Sequence, residues 1–175
     1  MTFPSDFMLV TAMNPCPCGY FGDPARECRC SPGQVEKYRS RISGPLLDRI
    51  DIHVEAPAVN YKELSSNEPA EASAAIRERV IGARKRQSER FASGKKTNCN
   101  ARMGHSQIKK FCALDSSGQE MLRHAMEDLQ LSARAYDRIL KVSRTIADLA
   151  GAEQIGIEHL AEGVQYRSLD RKYWG

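Results

Sequence analysis

The residues best suited to chemistry in this chain form a tight cluster of cysteines. They are Cys16, Cys18, Cys28 and Cys30. Four thiolates can close a tetrahedral zinc site, and such a site is structural because it leaves no position for water or a substrate. The spacing, C-x-C-x9-C-x-C, is less typical of zinc than C-x-x-C pairs. Four reduced cysteines in a loop, or two redox-linked pairs, are therefore the alternative interpretations.

Three other polar residues stand at places where a side chain could meet a ligand. Asn14 follows an apolar run and precedes a proline, which is also typical of a plain turn. Arg49 follows a predicted short helix, and its neighbours Asp48 and Asp51 could simply hold it in a surface ion pair. Arg134 falls in the first turn of a predicted helix, away from the apolar stripe, where an ordinary exposed arginine is the alternative.

A basic stretch runs from Arg77 to Lys110. It contains eleven Lys or Arg residues and two acidic ones, Glu78 and Glu89. It could face a phosphate backbone, where each neutralised phosphate adds salt-dependent affinity. It could equally be the solvated face of a helix. Phe91 is the one aromatic residue in the stretch, so base stacking is not indicated.

The bulk composition is that of an ordinary globular protein. The 175 residues are 41% hydrophobic and 27% charged, with a formal net charge of +4. No apolar run approaches the roughly 18 residues that a membrane span needs. No basic segment followed by an apolar one marks a signal peptide. Together with the clustered cysteines, this favours a reducing, cytoplasmic setting.

The first third of the chain predicts a piece of an α/β sheet. An apolar run from Phe7 to Ala12 suits a buried strand, and alternation of Ile50, Ile52 and Val54 suits a second strand. Short helices are expected from Pro32 to about Ser40 and from about Gly44. Two strands are too few to bury both faces of a parallel sheet, so we expect the chain to be a fragment of a larger fold.

The rest of the chain predicts a helical bundle. Helical spacing covers roughly residues 70–92, 106–112 and 157–166. A capping-box pattern at Ser117 predicts the start of another helix. Ser132 can cap a further helix that ends near Gly151, with Tyr136, Ile139, Leu140, Ile146 and Leu149 on its buried face.

No segment of the sequence has a phosphate-binding P-loop. The nearest approach is Gly94-Lys95-Lys96-Thr97. It lacks the earlier glycine of G-x-x-x-x-G-K-[ST], has lysine where Ser or Thr must hold magnesium, and follows a helix rather than a strand. This chain alone is therefore expected to be inactive toward ATP.

The order of these parts resembles one protein family over nearly the whole chain. The apolar run with Asn14-Pro15, the four cysteines and the segment ISGPLLDRIDIHVE at residues 42–55 come in sequence. LSARAYDRIL at 131–140 and YRSLDR at 166–171 follow. This arrangement resembles the second half of the ATPase core, and the helical lid, of the YifB/ComM family of magnesium-chelatase-like AAA+ proteins.

The resemblance implies roles for the polar residues. Asn14 would be sensor 1, which helps position the water that attacks the γ-phosphate. Arg49 would be an arginine finger that reaches the ATP site of a neighbouring subunit, and a guanidinium can bind two phosphate oxygens at once. Arg134 would be sensor 2, the lid arginine that touches the γ-phosphate of ATP, with Arg138 as the next candidate.

The resemblance also implies an organisation and a function. Residues 1–57 would be the C-terminal part of an AAA+ α/β core with a zinc-type loop at 15–33, residues 58–69 a linker, and residues 70–175 the lid. The parent protein would be a hexameric, cytoplasmic ATPase that uses ATP and magnesium to process DNA, as in branch migration during transformation. The alternatives are a zinc-stabilised nucleic-acid-binding module that works without ATP, and a helical protein-interaction domain.

Overall fold

The computed structural model describes residues 7–56, 59, 65, 70–93 and 97–167. Over these residues the chain forms seven α-helices and a short 3₁₀ helix at Asn100–Arg102. The α-helices are α1 (Pro32–Arg39), α2 (Gly44–Leu47), α3 (Ser73–Arg90), α4 (His105–Phe111), α5 (Ser116–Asp128), α6 (Ala133–Leu149) and α7 (Ile157–Gln165). None of the helices described is long and apolar enough to cross a membrane.

The two predicted strands are wrong. Residues 7–13 and 50–56 form no strand, and no strand is present anywhere in the described ranges. Phe7, Val10 and Val54 are 73%, 80% and 69% exposed, so these apolar residues face solvent instead of a sheet. A strand needs a neighbouring strand to pair its backbone N–H and C=O groups. Among the described residues, the 50–56 segment has a backbone–backbone hydrogen bond from the His53 N–H to the Tyr166 carbonyl, but no partner strand.

The chain divides into two compact units, Met1–Ser43 and Gly44–Gly175. The first contains the cysteine loop and α1. The second contains α2 and all the later helices. The predicted linker at 58–69 lies almost wholly outside the described residues, so the predicted domain boundary there stays a prediction.

The core of the second unit surrounds α6, which packs against α3, α4, the 3₁₀ helix and α7. Ser132 caps α6 as predicted, since its side chain accepts a hydrogen bond from the Ala135 N–H, and the chain leaves the helix through Gly151 at a φ of 76°. The cap of α5 is Asp115 rather than Ser117. The buried core residues are Phe91, Met103, Ile108, Cys112, Leu122, Ile139, Leu140, Ala147, Ile155 and Leu160.

One glycine allows α6 and α7 to approach closely. A Cβ placed on Gly163 would overlap the Ser143 hydroxyl and lie 3.4 Å from the Ile139 carbonyl oxygen. Ser143 and Leu160 are both fully buried at this crossing, so the contact lies in the interior of the bundle. The contact therefore requires the smallest side chain at position 163.

A buried polar network joins α6 to the elements before it. The Asp148 carboxylate, which has no solvent exposure, accepts from Arg90 at 2.7 Å and from the Asn100 amide at 2.8 Å. Arg144 lies 3.1 Å from the same carboxylate and donates to the carbonyls of Ala152 and Glu153. The end of α3, the 3₁₀ helix and α6 are thereby fixed around one carboxylate.

The hydrogen bonds of this network set the charge state of Asp148. Desolvation by itself would raise the pKa of the Asp148 carboxyl, but the hydrogen bonds from Arg90 and Asn100 outweigh it and hold the pKa below its usual value. The carboxylate is therefore ionised, and it compensates the charges of two arginines that are themselves mostly buried.

We expect Gly163→Ala to lower the free energy of unfolding by about 1–3 kcal/mol, because the added methyl group must push α6 and α7 apart. Chemical denaturation monitored by circular dichroism measures the change. Gly82→Ala is the control, since Gly82 lies on the exposed side of α3 and a Cβ there would meet nothing within 4 Å. That variant should gain about 0.5–1 kcal/mol from helix propensity alone. Adding Ser143→Ala should relieve part of the loss, and an unchanged stability of Gly163→Ala would contradict the close crossing.

We expect Asp148→Asn to lower the free energy of unfolding by about 3 kcal/mol at pH 7, because Arg90 and Arg144 lose their buried counter-charge. The contribution of Asp148 is complete above its unfolded-state pKa of about 3.9 and disappears as the pH falls through its lower folded-state pKa. The difference between wild type and variant should therefore shrink below about pH 4. Glu120→Gln is the control, because Glu120 pairs with Arg123 on the exposed face of α5 and its loss should change stability little. A pH-independent difference would show that the charge of Asp148 is not what matters.

Candidate metal centre and arginine cluster

The cysteine loop is a chain of tight turns that ends in α1. The Gly19 N–H donates to the Cys16 carbonyl at 3.0 Å, and Gly19 and Gly22 adopt φ values of 85° and 83°, which glycine tolerates best. Ser31 then caps α1 in a capping box with Gln34. These local hydrogen bonds fold the segment back so that its two ends meet.

The loop is also held to α1 by an arginine. Arg39 donates from Nε to the Pro15 carbonyl at 3.2 Å, and its guanidinium lies 4.5 Å from the centre of the Phe21 ring. This cation–π contact covers one face of an aromatic ring that is 43% exposed. The loop therefore has one anchor at its start and one in its middle.

The four predicted metal ligands converge. All four sulfur atoms lie within 4.8 Å of one another. The Cys16 sulfur is 3.4 Å from that of Cys18 and 3.7 Å from that of Cys28, and the Cys18 and Cys28 sulfurs are 3.5 Å apart. Disulfide sulfurs would be about 2.05 Å apart. Four sulfurs at a Zn–S distance of about 2.3 Å lie about 3.8 Å from one another in a tetrahedron, so the donor set fits zinc.

The ionisation of the cluster fits a cation as well. Backbone N–H groups of Tyr20 and Arg29 lower the pKa of the Cys18 thiol to about 6. For Cys28, the Cys30 N–H lowers the pKa, but desolvation and the neighbouring sulfurs outweigh it and raise the pKa to about 12. Adjacent sulfurs thus resist simultaneous ionisation, and a bound divalent cation would remove that resistance.

Asn14 lies at the base of this loop. Its side-chain amide is within 4 Å of where a Cβ on Gly19 would be, and the residue is exposed. It does not end a strand, because residues 7–13 form none. Its predicted role as sensor 1 stays a prediction.

Arg49 follows the short helix α2 and is exposed. Its guanidinium donates to the Pro45 carbonyl at 3.0 Å. The contacts described for Arg49 include no ion pair with a neighbouring aspartate: Asp48 lies near Arg134 and Arg167, and Asp51 pairs with Arg138. Asp48 accepts from Ser132 and Asp51 accepts from Arg138.

Arg134 lies in the first turn of α6, beside Asp48. Its guanidinium is 3.9 Å from the Asp48 carboxylate, and its side chain is 68% exposed. The Ser132 hydroxyl that caps α6 donates to the other oxygen of Asp48 at 3.0 Å. The predicted sensor 2 and the residue next to the predicted finger are therefore in contact.

Two further arginines fix the 48–51 segment to the helical bundle. Arg138, one turn after Arg134, donates to the Arg49 carbonyl at 2.6 Å and to Asp51. Arg167, 1% exposed, donates to the Ile50 carbonyl and lies 3.7 Å from Asp48. We call Asp48, Asp51, Ser132, Arg134, Arg138 and Arg167 the arginine cluster.

Two family models match the chain. The model described as magnesium chelatase, subunit ChlI C-terminal, matches residues 70–167, more than half of the chain. The model described as magnesium chelatase, subunit ChlI, matches residues 1–64. The chain belongs to the magnesium chelatase family. The resemblance inferred from the motifs is thus confirmed.

Curated relatives agree with this assignment. The chain is 44% identical over 170 residues to competence protein ComM of Haemophilus influenzae. The matched region covers 97% of this chain and 32% of that protein. It is 41% identical over 172 residues to uncharacterized protein YifB of Salmonella typhimurium, and that match covers 98% of this chain and 33% of the relative. A Mycobacterium tuberculosis relative is 34% identical over 166 residues. This magnesium chelatase family chain spans about a third of the length of these relatives.

Sequence reasoning identified the four cysteines that converge, but it did not find the contacts that form the arginine cluster, although it named five of the six residues. The cysteines lie at most fourteen positions apart, so their spacing alone carries the signal. Asp48 and Ser132 are separated by 84 positions, and Asp51 and Arg138 by 87. The available signal was an excess of complementary charge in two segments, which does not say which residues pair.

We expect this magnesium chelatase family protein, purified without chelator, to contain about one zinc ion per chain by elemental analysis. Cys28→Ser should lose the metal, because a four-sulfur site cannot close with three. Cys99→Ser is the matched control, since Cys99 lies outside the cluster and should leave the zinc content unchanged.

Chelation should then expose residues 15–33 to hydrogen exchange, because turns and two anchors alone do not build a hydrophobic core. The helices of the second unit should keep their protection. A metal-free protein in which residues 15–33 remain fully protected from hydrogen exchange would contradict the zinc assignment.

Proposed function

We propose that this chain is the sensor, arginine-finger and lid portion of an AAA+ ATPase of the YifB/ComM type. The observation that supports the proposal is the contact between Asp48, which precedes exposed Arg49, and the start of α6, where Ser132 donates to the Asp48 carboxylate and exposed Arg134 lies 3.9 Å from it. Exposed guanidiniums on a fixed frame suit the stabilisation of charge that develops on a transferred phosphoryl group. Family membership supports the ATPase assignment.

The chain would supply three groups to the reaction. Asn14 would orient the attacking water as sensor 1. Arg134 would bind the γ-phosphate of ATP in its own subunit as sensor 2, and Arg49 would reach into the site of a neighbouring subunit. The phosphate cradle and the magnesium ligands would come from other parts of the protein, because no P-loop is present in this sequence. Zinc would hold the loop beside Asn14 without a chemical role.

The parent protein would couple hydrolysis to work on DNA in a homo-oligomeric, hexameric ring in the cytoplasm. The name of the Haemophilus influenzae relative, competence protein ComM, supports a link to DNA uptake. Exposed basic side chains on α3, among them Arg77, Arg84 and Lys85, are the candidate contacts with a phosphate backbone.

A nucleic-acid-binding module that works without ATP is the second candidate. It rests on the same basic stretch, but two of its arginines have structural partners. Arg90 belongs to the Asp148 network, and Arg79 pairs with Glu71. Phe91 is 5% exposed and packs edge-on against Phe111, so it offers no stacking surface. These contacts favour the ATPase proposal.

The test of the proposal uses the intact protein, with its P-loop. Arg49→Ala should leave ATP binding largely intact and lower hydrolysis by roughly 10³-fold or more, as expected for a finger that acts on the transition state. Arg134→Ala should weaken the binding of ATP to its own subunit. Arg123→Ala, an exposed arginine on α5, is the control and should keep full activity.

A mixing experiment tests whether Arg49 acts across subunits. Arg49→Ala protein is combined with a variant that lacks the P-loop lysine but keeps Arg49. Some interfaces of a mixed ring would then pair an intact P-loop with an intact finger, so activity should partly return. If subunit exchange is verified and no activity returns at any ratio, Arg49 does not act in trans.

A further inference from the structure

Asp48 is a neighbour of both arginines to which the proposed function assigns phosphate contacts. It precedes Arg49 in the chain, and its carboxylate lies 3.9 Å from the Arg134 guanidinium. The same carboxylate accepts from Ser132 at 3.0 Å and lies 3.7 Å from Arg167. One side chain is thus shared between the lid and the finger segment.

The contacts around Asp48 differ in strength. Arg167 is 1% exposed and also donates to the Ile50 carbonyl, and Arg138 holds the Arg49 carbonyl at 2.6 Å. Arg134 is 68% exposed, and its distance to Asp48 is beyond hydrogen-bond range. An exposed ion pair of this kind is weak and readily exchanged. Removing Arg134 from Asp48 would therefore leave the finger segment attached by its other contacts.

We propose that Asp48 is a positioning residue that occupies Arg134 in the absence of nucleotide and releases it when a triphosphate binds. This inference rests on the proposed function, which makes Arg134 a phosphate ligand. A triphosphate carries several negative charges against one on Asp48, and its oxygens can take up a guanidinium in bidentate fashion. The exchange needs no step other than the replacement of one anion by another.

The exchange has a consequence for the coupling of sites. When Arg134 leaves, Ser132 and Arg167 are the partners that the Asp48 carboxylate keeps among the described residues, and the charge balance beside Arg49 changes. If Arg134 serves its own subunit and Arg49 serves the next, Asp48 is the residue through which nucleotide in one site influences the finger at another. That coupling would be local, because the residues involved are in direct contact or adjacent in the chain.

The test uses this chain and inorganic tripolyphosphate as the probe. Binding is followed by the ³¹P resonances of the probe and by the Nε–Hε signal of Arg134 in ¹⁵N-labelled protein. Asp48→Asn should bind the probe about two- to fivefold more tightly than wild type, since an exposed ion pair competes to about that extent. Asp48→Glu keeps the charge and should return the affinity toward the wild-type value.

A double-mutant cycle separates competition for Arg134 from a general change in charge. If Asp48 acts through Arg134, Asp48→Asn should have no effect on affinity in an Arg134→Ala background. Asp51→Asn is the matched control, because it removes the same charge from the same segment but its partner is Arg138. It should leave the titration of the Arg134 signal unchanged.

Each result decides between the proposals. If Arg134→Ala binds the probe as well as wild type, the assignment of Arg134 as a phosphate ligand fails, and this inference fails with it. If Arg134→Ala weakens binding but Asp48→Asn does not strengthen it, only the role of Asp48 is overturned. Absence of binding by both wild type and Asp48→Asn also overturns it.

A measurement on wild type alone covers the case in which Asp48→Asn fails to fold. Tripolyphosphate should shift the Arg134 Nε–Hε signal and the ¹³C signal of the Asp48 carboxyl with the same midpoint, and should leave the Arg138 signal in place. A shift of Arg134 with no response at Asp48 would contradict the exchange.

Discussion

The burial of Asp148 is the constraint on which the second unit depends. A carboxylate without solvent exposure is tolerable only if its charge and its lone pairs are satisfied, and here Arg90, Asn100 and Arg144 do so. Those partners come from the end of α3, the 3₁₀ helix and α6 itself. Sliding any of these elements along another would leave a buried charge unpaired. The network therefore favours one placement of α6 relative to α3 and the 3₁₀ helix over shifted placements.

The opposite end of α6 carries the arginine cluster. α6 is a continuous helix of 17 residues, with Ser132 and Arg134 at its start and Arg144 and Asp148 in its last two turns. The position fixed by the buried network is therefore transmitted along a rigid element to the residues that contact Asp48. The close contact of Gly163 with Ser143 holds the middle of the helix. The candidate site thus depends on buried residues more than one helical turn away from it.

The helices could be predicted from the sequence because their signals are local. Ser132 and Gly151 mark the ends of α6, and the spacing of apolar residues marks its length. The predicted buried face of α6 was only partly right. Tyr136 and Leu149 are 41% and 40% exposed, whereas Arg144 and Asp148 are buried. Burial of a charged pair depends on partners in other elements, and apolar periodicity carries no information about them.

The two strand predictions failed for a related reason. Apolar residues at positions 50, 52 and 54 alternate with polar ones, as in a strand with one buried face. A strand, however, forms only when a neighbouring strand pairs with its backbone. In the second unit, the same segment instead gives its carbonyls at Arg49 and Ile50 to Arg138 and Arg167. Backbone groups that would have entered a ladder are satisfied by guanidiniums from the bundle. The segment is thus held by the side chains of Arg138 and Arg167, which lie 87 and 117 positions from their partners in the chain. The same two arginines keep Asp48 beside α6.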